Sequence, residues 1–216
     1  MFLAILIMLA AWTAYFNIAL LTKANAFFEA NPNLKIQPVS QSIDISGSLS
    51  PNLVYLGLNF GAPWQNPSVI NAGDSVRIAF NGNKFIIISK ETTEFKPSFL
   101  SDRDFQTWQK NSNLSPKAFM KKSLNTLPSD IKVSVLRKNI IDKIMLLDQK
   151  AQTLGTDAIQ KIESFETPSI RGFLFLPQDK SSTKAIFFLK DQSYVLTTNA
   201  AKDELIKILG SIKSEE

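Results

Sequence analysis

The sequence contains no cysteine and no histidine. The absence of cysteine excludes disulfides, thiol nucleophiles, thiolate-bound iron–sulfur clusters and an amino-terminal lipid carried by cysteine. The absence of histidine excludes Ser-His-Asp and Cys-His catalysis, histidine-bound zinc and histidine-bound haem. Much of the usual catalytic chemistry is therefore unavailable to this chain.

Strong charge of one sign is also absent. The 24 lysines and arginines stand against 19 acidic residues, which gives a formal net charge of +5. The basic residues are interspersed, without a basic tail or an arginine cluster. This pattern is typical of a lysine-rich solvated surface, and it predicts no nucleic-acid partner.

Motifs for phosphate, dinucleotide and calcium binding are missing as well. Three carboxylate pairs occur: Glu91/Glu94, Asp102/Asp104 and Glu163/Glu166. Each pair could serve acid–base catalysis or calcium binding, but roles in solvated loops and helix caps are the simpler interpretation. Ser181 and Lys184 have the spacing of serine–lysine acyl enzymes, but they lie in a predicted hairpin turn and lack the companion motifs. We expect no catalytic residue, no cofactor and no metal site.

The most informative stretch that is present is the apolar run over residues 1–22. It holds no charged side chain, and its only strongly polar residue is Asn17. At about 1.5 Å per residue, a helix of this length spans a hydrocarbon core about 30 Å thick. We therefore predict a transmembrane anchor over residues 1–22, with membrane lipid as its partner.

The alternative interpretation of this run is a signal peptide that is cleaved after Ala26, since Ala24-Asn25-Ala26 fits the small-x-small rule. Two features favour the anchor. The run exceeds the usual apolar region of about 7 to 15 residues, and no lysine or arginine precedes it. A short amino terminus that leads into a folded domain fits a single-pass anchor with the domain outside the cytoplasm, in the periplasm.

The remainder of the chain divides into a tether and one soluble domain. Residues 23–50 contain Pro32 and Pro38 among Asn, Gln and Ser, which indicates a tether or an irregular entry,. Ile43 and Ile45 alternate with polar neighbours and predict a short edge strand. Residues 51–216 are long enough to form one domain with its own core.

The first half of this domain contains a strong hairpin signal. Residues 75–80 alternate between apolar and polar, Asn81-Gly82 tolerates positive φ, and residues 84–90 form a second strand,. This predicts a tight two-residue turn, with Val76, Ile78 and Phe80 on the core face. The run 53–60 predicts an earlier strand.

Helices are predicted in the middle of the chain. Ser101 with Asp104 resembles a capping box, and Ser115-Pro116 opens a helix whose inward residues are Phe119, Met120 and Leu124. Residues 131–135 alternate like a strand. From residue 139 onward, five apolar residues recur at helical spacing and Gly155 stands at the C′ position: Ile140, Ile144, Leu147, Ala151 and Leu154.

The last third predicts strands at 170–177, 184–190 and 193–198, joined by links too short for a crossover helix, so the strands form an antiparallel meander. A helix over 202–213 follows, with an apolar stripe that should pack on the sheet: Leu205, Ile208, Leu209 and Ile212.

The final strand, Tyr194-Val195-Leu196-Thr197-Thr198, turns through Asn199-Ala200-Ala201 into the amphipathic terminal helix. Over about residues 170–213 this arrangement resembles the end of a PsbP-like domain. That superfamily includes extrinsic photosystem subunits, a Ran-binding nuclear import factor and many exported bacterial proteins. The resemblance implies an α+β fold with an antiparallel sheet flanked by helices. It carries over no residue role, and the lack of histidine excludes any histidine-based metal site of the family.

Two functions from different classes fit these features. The first is a non-catalytic, membrane-anchored domain that binds a protein partner in or at the membrane, as an accessory or assembly factor of a membrane complex. The second is a secreted ligand-binding protein or carboxylate-based hydrolase released by cleavage after Ala26. Trp64 and Trp108 are the candidate partner-binding aromatics, and for Trp64 the simpler interpretation is a lid over one end of the core.

Overall fold

The computed structural model describes residues 2–41, 49–50, 52–91, 95, 97–98, 100–131, 137–156, 158–179 and 182–215. The chain divides into two compact units, each made from two separate stretches of sequence. Unit 1 comprises Met1–Gln37 with Glu94–Thr156, and unit 2 comprises Pro38–Thr93 with Asp157–Glu216. Residues 51–216, which we predicted as a single domain, therefore contribute to both units.

Unit 1 begins with a long helix, α1, at Phe2–Ala30. It is longer than the predicted anchor, because the residues after Thr22 are mainly good helix formers and nothing interrupts the helix before Asn31-Pro32. A 3-10 turn follows at Pro32–Lys35, where the Asn31 side chain accepts a hydrogen bond from the backbone N–H of Asn33 at 3.1 Å. The first part of the predicted tether, residues 23–35, is therefore the end of α1 followed by a capped 3-10 turn.

Three further helices complete unit 1: α2 at Asp102–Asn111, α3 at Pro116–Asn125 and α4 at Arg137–Leu154. The predicted caps are confirmed, since the side-chain oxygens of Ser101 and Ser115 each accept a backbone N–H three residues ahead. Gly155 follows α4 with a φ of +64°, as a C′ glycine does,. The strand predicted at 131–135 falls largely on residues 132–136, outside the described residues.

The core of unit 1 lies between α4 and the second half of α1. All five of the predicted inward residues of α4 are buried. Four of them, Ile140, Ile144, Leu147 and Ala151, belong to one apolar cluster. The other buried members of this cluster are Leu21, Ala24 and Phe28 of α1 and Leu34 of the turn that follows it. Met120 and Leu124 of α3 are buried as predicted, whereas Phe119 is only half-buried.

A buried lysine fixes the chain that follows α1. Lys150 on α4 is fully buried, and its Nζ donates hydrogen bonds to the carbonyl oxygens of Leu34 at 2.9 Å, Ile36 at 2.7 Å and Thr126 at 3.0 Å. An ammonium group has three donors, so all are used. Burial lowers the pKa of Lys150 to about 8, while the charge of Asp130 partly opposes this shift. The segment expected to be a tether is thus held in place by unit 1 as far as Ile36.

Unit 2 is built on an eight-stranded sheet. Its strands are β1 at Pro38–Gln41, β4 at Ser68–Ala72, β5 at Ser75–Phe80, β6 at Lys84–Lys90, β7 at Ile159–Glu166, β8 at Arg171–Pro177, β9 at Thr183–Leu189 and β10 at Gln192–Thr198. Their spatial order is β1-β7-β8-β9-β10-β6-β5-β4. The predicted meander is confirmed as β8-β9-β10. The pairing of β1 with β7 is parallel, so the sheet is mixed and not purely antiparallel.

A second, three-stranded sheet contains β2 at Asn52–Tyr55, β3 at Leu58–Gly61 and β11 at Lys213–Ser214, in the order β11-β3-β2. The single strand predicted at 53–60 is therefore wrong. Leu56 and Gly57 both adopt positive φ, at 58° and 78°, and fold the run into a hairpin.

The hairpin of β5 and β6 is confirmed, but its turn is longer than predicted. Phe80 pairs with Lys84, so three residues, Asn81–Asn83, form the turn. Gly82 and Asn83 both adopt the left-handed conformation, at φ values of 74° and 59°. Asparagine tolerates this conformation, which lets Asn83 join the turn.

Helix α5 at Lys202–Ser211 packs on β3 and closes the core of unit 2. All four residues of its predicted stripe are buried in one apolar cluster with Leu174, Ala185 and Phe187 of the meander. Strands β1, β4, β7 and β11 were not predicted. The helix predicted over 202–213 ends at Ser211, and Lys213 instead pairs with Asn59 of β3 in β11. The edge strand expected around Ile43 and Ile45 lies outside the described residues.

Candidate functional site

The two halves of α1 have opposite environments. Every side chain from Leu3 to Phe16 is exposed. From Asn17 onward one face of the helix is buried: Asn17 is 5% exposed, Leu21 6%, and Ala24 and Phe28 are fully buried. At 1.5 Å per residue, the entirely exposed stretch is about 21 Å long.

The exposed half of α1 is apolar on all sides. Ten large hydrophobic side chains of this helix, before Leu20, are exposed to at least 45%: Leu3, Ile5, Leu6, Ile7, Met8, Leu9, Trp12, Tyr15, Phe16 and Ile18. A helix with no polar face belongs in a protein core or in a membrane. By length and composition Leu3–Ala30 is long and apolar enough to cross a membrane, although a signal sequence meets the same criterion.

A polar network marks the point where α1 begins to pack on unit 1. Arg137, the first residue of α4, donates from Nη1 to Asn17 Oδ1 at 3.3 Å and from Nη2 to Asp104 Oδ2 at 2.9 Å. Asp104 also accepts from the Ser101 hydroxyl at 3.2 Å. The only strongly polar residue of the apolar run therefore contacts the folded part of unit 1, and Asp104 has a structural role.

A cavity of about 490 Å³ adjoins this network. Its size lies within the range of about 300 to 1,000 Å³ that is typical of small-molecule sites. Residues of α2, α3, α4 and the link between α2 and α3 line it: Asp104, Thr107, Trp108, Asn111, Ser112, Asn113, Leu114, Lys122, Arg137, Lys138, Ile141, Asp142 and Leu146. The lining combines apolar walls with three cations and two carboxylates.

Trp108 lines this cavity and also contacts other aromatic rings. Its ring is stacked on that of Phe105 at 6.4 Å between centroids and is tilted against Phe119 at 5.1 Å. Phe95 contacts both of those rings, at 6.1 and 5.6 Å. The indole therefore belongs to this aromatic cluster and also lines the cavity. Trp108, predicted as a candidate partner-binding residue, therefore lies at a concave site.

Trp64 occupies a different kind of site, in unit 2. Its indole N–H donates to Glu204 Oε1 at 3.1 Å, and its ring packs on Phe80 at 5.2 Å between centroids. Lys84 Nζ lies 5.5 Å above the same ring and 3.2 Å from Glu204 Oε2. Although burial acts in the opposite direction, hydrogen bonds from Ala201, Trp64 and Lys84 lower the pKa of Glu204. These contacts favour the interpretation of Trp64 as a lid over the core.

Glu163 forms a buried charge cluster that the sequence did not reveal. It lies on β7 and is 1% exposed. Lys161 Nζ donates to its Oε1 at 2.7 Å, and Lys202 Nζ lies 2.9 Å from Oε1 and 2.8 Å from Oε2. Burial alone would raise the pKa of Glu163, but hydrogen bonds and charge from the two lysines lower it overall. The carboxylate is therefore ionised at neutral pH and is unsuited to act as a general acid.

Of the three carboxylate pairs noted in the sequence, Glu163 and Glu166 do not form a joint site. Glu163 is buried whereas Glu166 is exposed and pairs with Arg171 at 2.6 Å, because side chains three apart on a strand point to opposite faces,. The spacing that does matter is Lys161 to Glu163, two residues apart on one face. Glu94 and Ser181, members of two other candidate motifs, lie outside the described residues.

Asp102 and Asp104 both lie in the first turn of α2, where negative charge favours the helix dipole,. Within the ranges that the structure describes, no group of three or more acidic side chains is placed to hold a metal ion. Comparison of the chain with protein-family models, with curated proteins and with solved structures found no match.

Proposed function

We propose that this protein is a non-catalytic, single-pass membrane protein that binds a protein partner as an accessory or assembly factor of a membrane complex. Helix α1 is its anchor, and its folded part lies outside the cytoplasm. The observation that carries the proposal is the division of α1 at Asn17. Before that residue the helix is apolar and exposed on all sides, and after it the helix belongs to the core of unit 1.

The packing of α1 supports retention of the helix over cleavage. Cleavage after Ala26 would remove Leu21 and Ala24 from the core and Asn17 from its hydrogen bond with Arg137. The remaining core would expose the apolar faces of Ile140 and Ile144, at a cost of about 25 cal/mol for each Å². A mature protein that begins at Phe27 would therefore have an incomplete unit 1.

The same network supports a specific depth in the membrane. If hydrocarbon surrounded α1 as far as Thr22, the ion pair of Arg137 and Asp104 would lie within the bilayer core, which is costly for charged groups. Hydrocarbon therefore ends near Phe16. Tyr15 then lies at the interface, where aromatic side chains are favoured, and Trp12 lies about one helical turn inside the hydrocarbon. The bilayer thins to match a span of about 21 Å.

A partner surface in unit 2 is the edge strand β4. All five of its residues are exposed, with Ile70 at 66% and Val69 at 36%. Edge strands of this kind pair with a strand of another chain unless lysine, proline or a bulge blocks them, and β4 contains neither lysine nor proline. The PsbP-like relationship stays part of the proposal, on the sequence resemblance over about residues 170–213.

The first test concerns attachment. Membranes that contain the full-length chain are washed with high salt, and the amino terminus of the retained protein is identified by mass spectrometry. We expect the protein to stay in the membrane with residues 1–26 intact, because apolar attachment is insensitive to ionic screening. Release by salt alone, or Phe27 as the first residue, would contradict the anchor.

The second test concerns the partner. A photo-crosslinking residue in place of Ile70 is compared with the same residue in place of the exposed Lys110 of unit 1. We expect one discrete protein adduct in membranes from the Ile70 variant and none from the Lys110 variant. The same adducts from both positions would argue against β4 as the partner surface.

The cavity favours a second candidate, a ligand-binding protein. A concave site of about 490 Å³ that combines apolar and charged groups is suited to a small amphiphile,. This candidate requires neither cleavage nor secretion. It is compatible with an anchored protein.

A further inference from the structure

The cavity beside Trp108 lies next to the point where α1 becomes buried. Arg137 lines the cavity and also donates to Asn17 of α1, and Asp104 lines the cavity and accepts from Arg137. The side chain of Arg137 therefore connects the cavity to Asn17, the first buried residue after the fully exposed apolar stretch of α1. All of these residues belong to unit 1.

The chemistry of the lining is that of an amphiphile site. Apolar surface comes from Trp108, Leu114, Ile141 and Leu146, and positive charge from Lys122, Arg137 and Lys138.

Arg137 is paired with Asp104, whereas Lys122 and Lys138 are exposed and form no ion pair within the described part of the chain. Asp142, one turn after Lys138, adds an opposing negative charge. The balance of the lining is one net positive charge, so a ligand with a negative head and an apolar tail is complementary to it.

We infer that this cavity holds the headgroup and upper acyl chain of an anionic phospholipid from the membrane that α1 enters. The inference rests on the proposed anchorage of α1. The phosphate lies near Lys122 and Lys138, and the acyl chain lies against Trp108 and Leu114. A zwitterionic lipid is bound less well, because its own cation offsets the phosphate charge that the lysines attract.

The position and size of the cavity support a lipid over other occupants. With hydrocarbon ending near Phe16, the Asn17–Arg137 contact lies at the depth of the headgroups. Lipid is therefore present there at high local concentration. A helix of a partner protein is about 10 to 12 Å wide, too large for a cavity of about 490 Å³,.

Two tryptophan reporters test the inference and the anchorage separately in the full-length chain. In Trp64→Phe/Trp108→Phe only Trp12 of α1 remains, and in Trp12→Phe/Trp64→Phe only Trp108 remains. Each variant is placed in nanodiscs of phosphatidylcholine in which either a brominated phosphatidylcholine or a brominated phosphatidylglycerol is present at the same mole fraction. Bromine quenches only nearby tryptophan emission.

We expect both brominated lipids to quench the emission of Trp12. We expect brominated phosphatidylglycerol to quench the emission of Trp108 much more strongly than brominated phosphatidylcholine does. Quenching of Trp12 with no quenching of Trp108, or with equal quenching of Trp108 by both lipids, overturns the lipid site and leaves the anchor intact. Absence of Trp12 quenching overturns the anchor, and the lipid site fails with it. If Trp64→Phe disturbs unit 2, the single variants Trp12→Phe and Trp108→Phe are used instead. The emission of Trp64, measured alone in Trp12→Phe/Trp108→Phe, is then subtracted from the emission of each single variant.

Charge-matched variants then locate the headgroup. Lys122→Ala/Lys138→Ala removes the two cavity lysines that have no ion pair among the described residues. Lys110→Ala/Lys121→Ala removes two exposed lysines that do not line the cavity. We expect the first pair to reduce the preference of Trp108 for phosphatidylglycerol by about tenfold or more, and the second pair to leave it nearly unchanged. An equal loss in both pairs would indicate general attraction to an anionic surface, and no loss in either would exclude the lysines; both results contradict the site.

Discussion

The two hydrophobic cores of this chain are filled in different ways. The core of unit 2 draws its side chains from alternating strands such as β5 and β10, from the continuously apolar strands β8 and β9, and from the amphipathic helix α5. The core of unit 1 draws Leu21, Ala24 and Phe28 from a helix that is apolar on every side before it becomes buried. In such a helix, composition does not distinguish a side chain that faces protein from one that faces lipid. The boundary is set by packing partners on α4, which lie far away in the sequence.

Buried charges occur in both units, at Asp148 and Lys150 of unit 1 and at Glu163 of unit 2. The lysine of unit 1 and the glutamate of unit 2 are satisfied differently. Lys150 in unit 1 donates to three backbone carbonyl groups, two from the segment that follows α1 and one from the residue that follows α3. Glu163 in unit 2 is held by the side chains of two partly exposed lysines. Replacement of Lys150 therefore leaves buried carbonyl groups unpaired, whereas the lysines around Glu163 can return to water.

The largest expected effect tests whether α1 is a core element. Phe28→Ala should lower the free energy of opening of α4 by about 3 to 5 kcal/mol, because a fully buried ring leaves a cavity in unit 1,. Phe27→Ala is the matched control, since the neighbouring ring is 43% exposed. Hydrogen exchange of α4 peptides, measured by mass spectrometry on the full-length chain in detergent, gives both values. Equal and small effects would mean that α1 does not pack on α4.

The second prediction is the counterpart in unit 2. Leu209→Ala should destabilise the β8-β9-β10 meander by about 2 to 4 kcal/mol, because Leu209 is fully buried in the core that α5 closes,. Lys207→Ala, on the exposed side of α5, should change stability by less than about 0.5 kcal/mol,. Hydrogen exchange of β8 and β9 peptides measures both. A small effect of Leu209→Ala would mean that α5 is detached from the sheet.

Local signals account for the elements that the sequence predicted well. Serine caps located the starts of α2 and α3, and a C′ glycine located the end of α4. Alternation with an Asn-Gly turn located β5 and β6. The elements that were missed depend on partners elsewhere in the chain. The apolar period of β7 is interrupted by Glu163, which is buried only because Lys161 and Lys202 meet it. Strand β4 is exposed on all five residues and therefore has no hydrophobic face to recognise.

The candidate sites show the same division. Trp108 was singled out from the sequence, but the cavity beside it is assembled from α2, α3 and α4 and has no sequence motif. Asn17 was noticed as the polar exception in an apolar run. Its partner, Arg137, lies 120 residues away, so only the structure locates the boundary between the exposed and buried parts of α1.

The third prediction uses pH to compare two of the buried charges, Lys150 and Glu163, beginning with Lys150. Its pKa falls from 10.5 in the unfolded chain to about 8 in the folded chain. Between these values the unfolded state binds more protons, so the stability of unit 1 should increase as pH rises from about 8 to 10.5, by at most about 3 kcal/mol. Lys150→Met should abolish this pH dependence. Hydrogen exchange of α4 peptides, corrected for the intrinsic pH dependence of exchange, measures it, and a flat profile for the wild-type chain would contradict the prediction.

The smallest effect is expected at Glu163, and it has the opposite pH dependence. Because the folded pKa of Glu163 is lowered, its contribution is present above the unfolded pKa and is lost as pH falls through the folded pKa,. Glu163→Gln should destabilise unit 2 by about 1 to 2 kcal/mol at neutral pH, since the two lysines are partly exposed and regain water when the carboxylate is removed. At pH values below the folded pKa the variant and the wild-type chain should converge. Glu166→Gln, on the exposed face of β7, is the matched control and should differ from the wild-type chain by less than about 0.5 kcal/mol. Hydrogen exchange of β7 and β8 peptides at neutral and acidic pH measures both variants, and a Glu163→Gln effect that persists unchanged in acid would show that shape and not charge holds this residue.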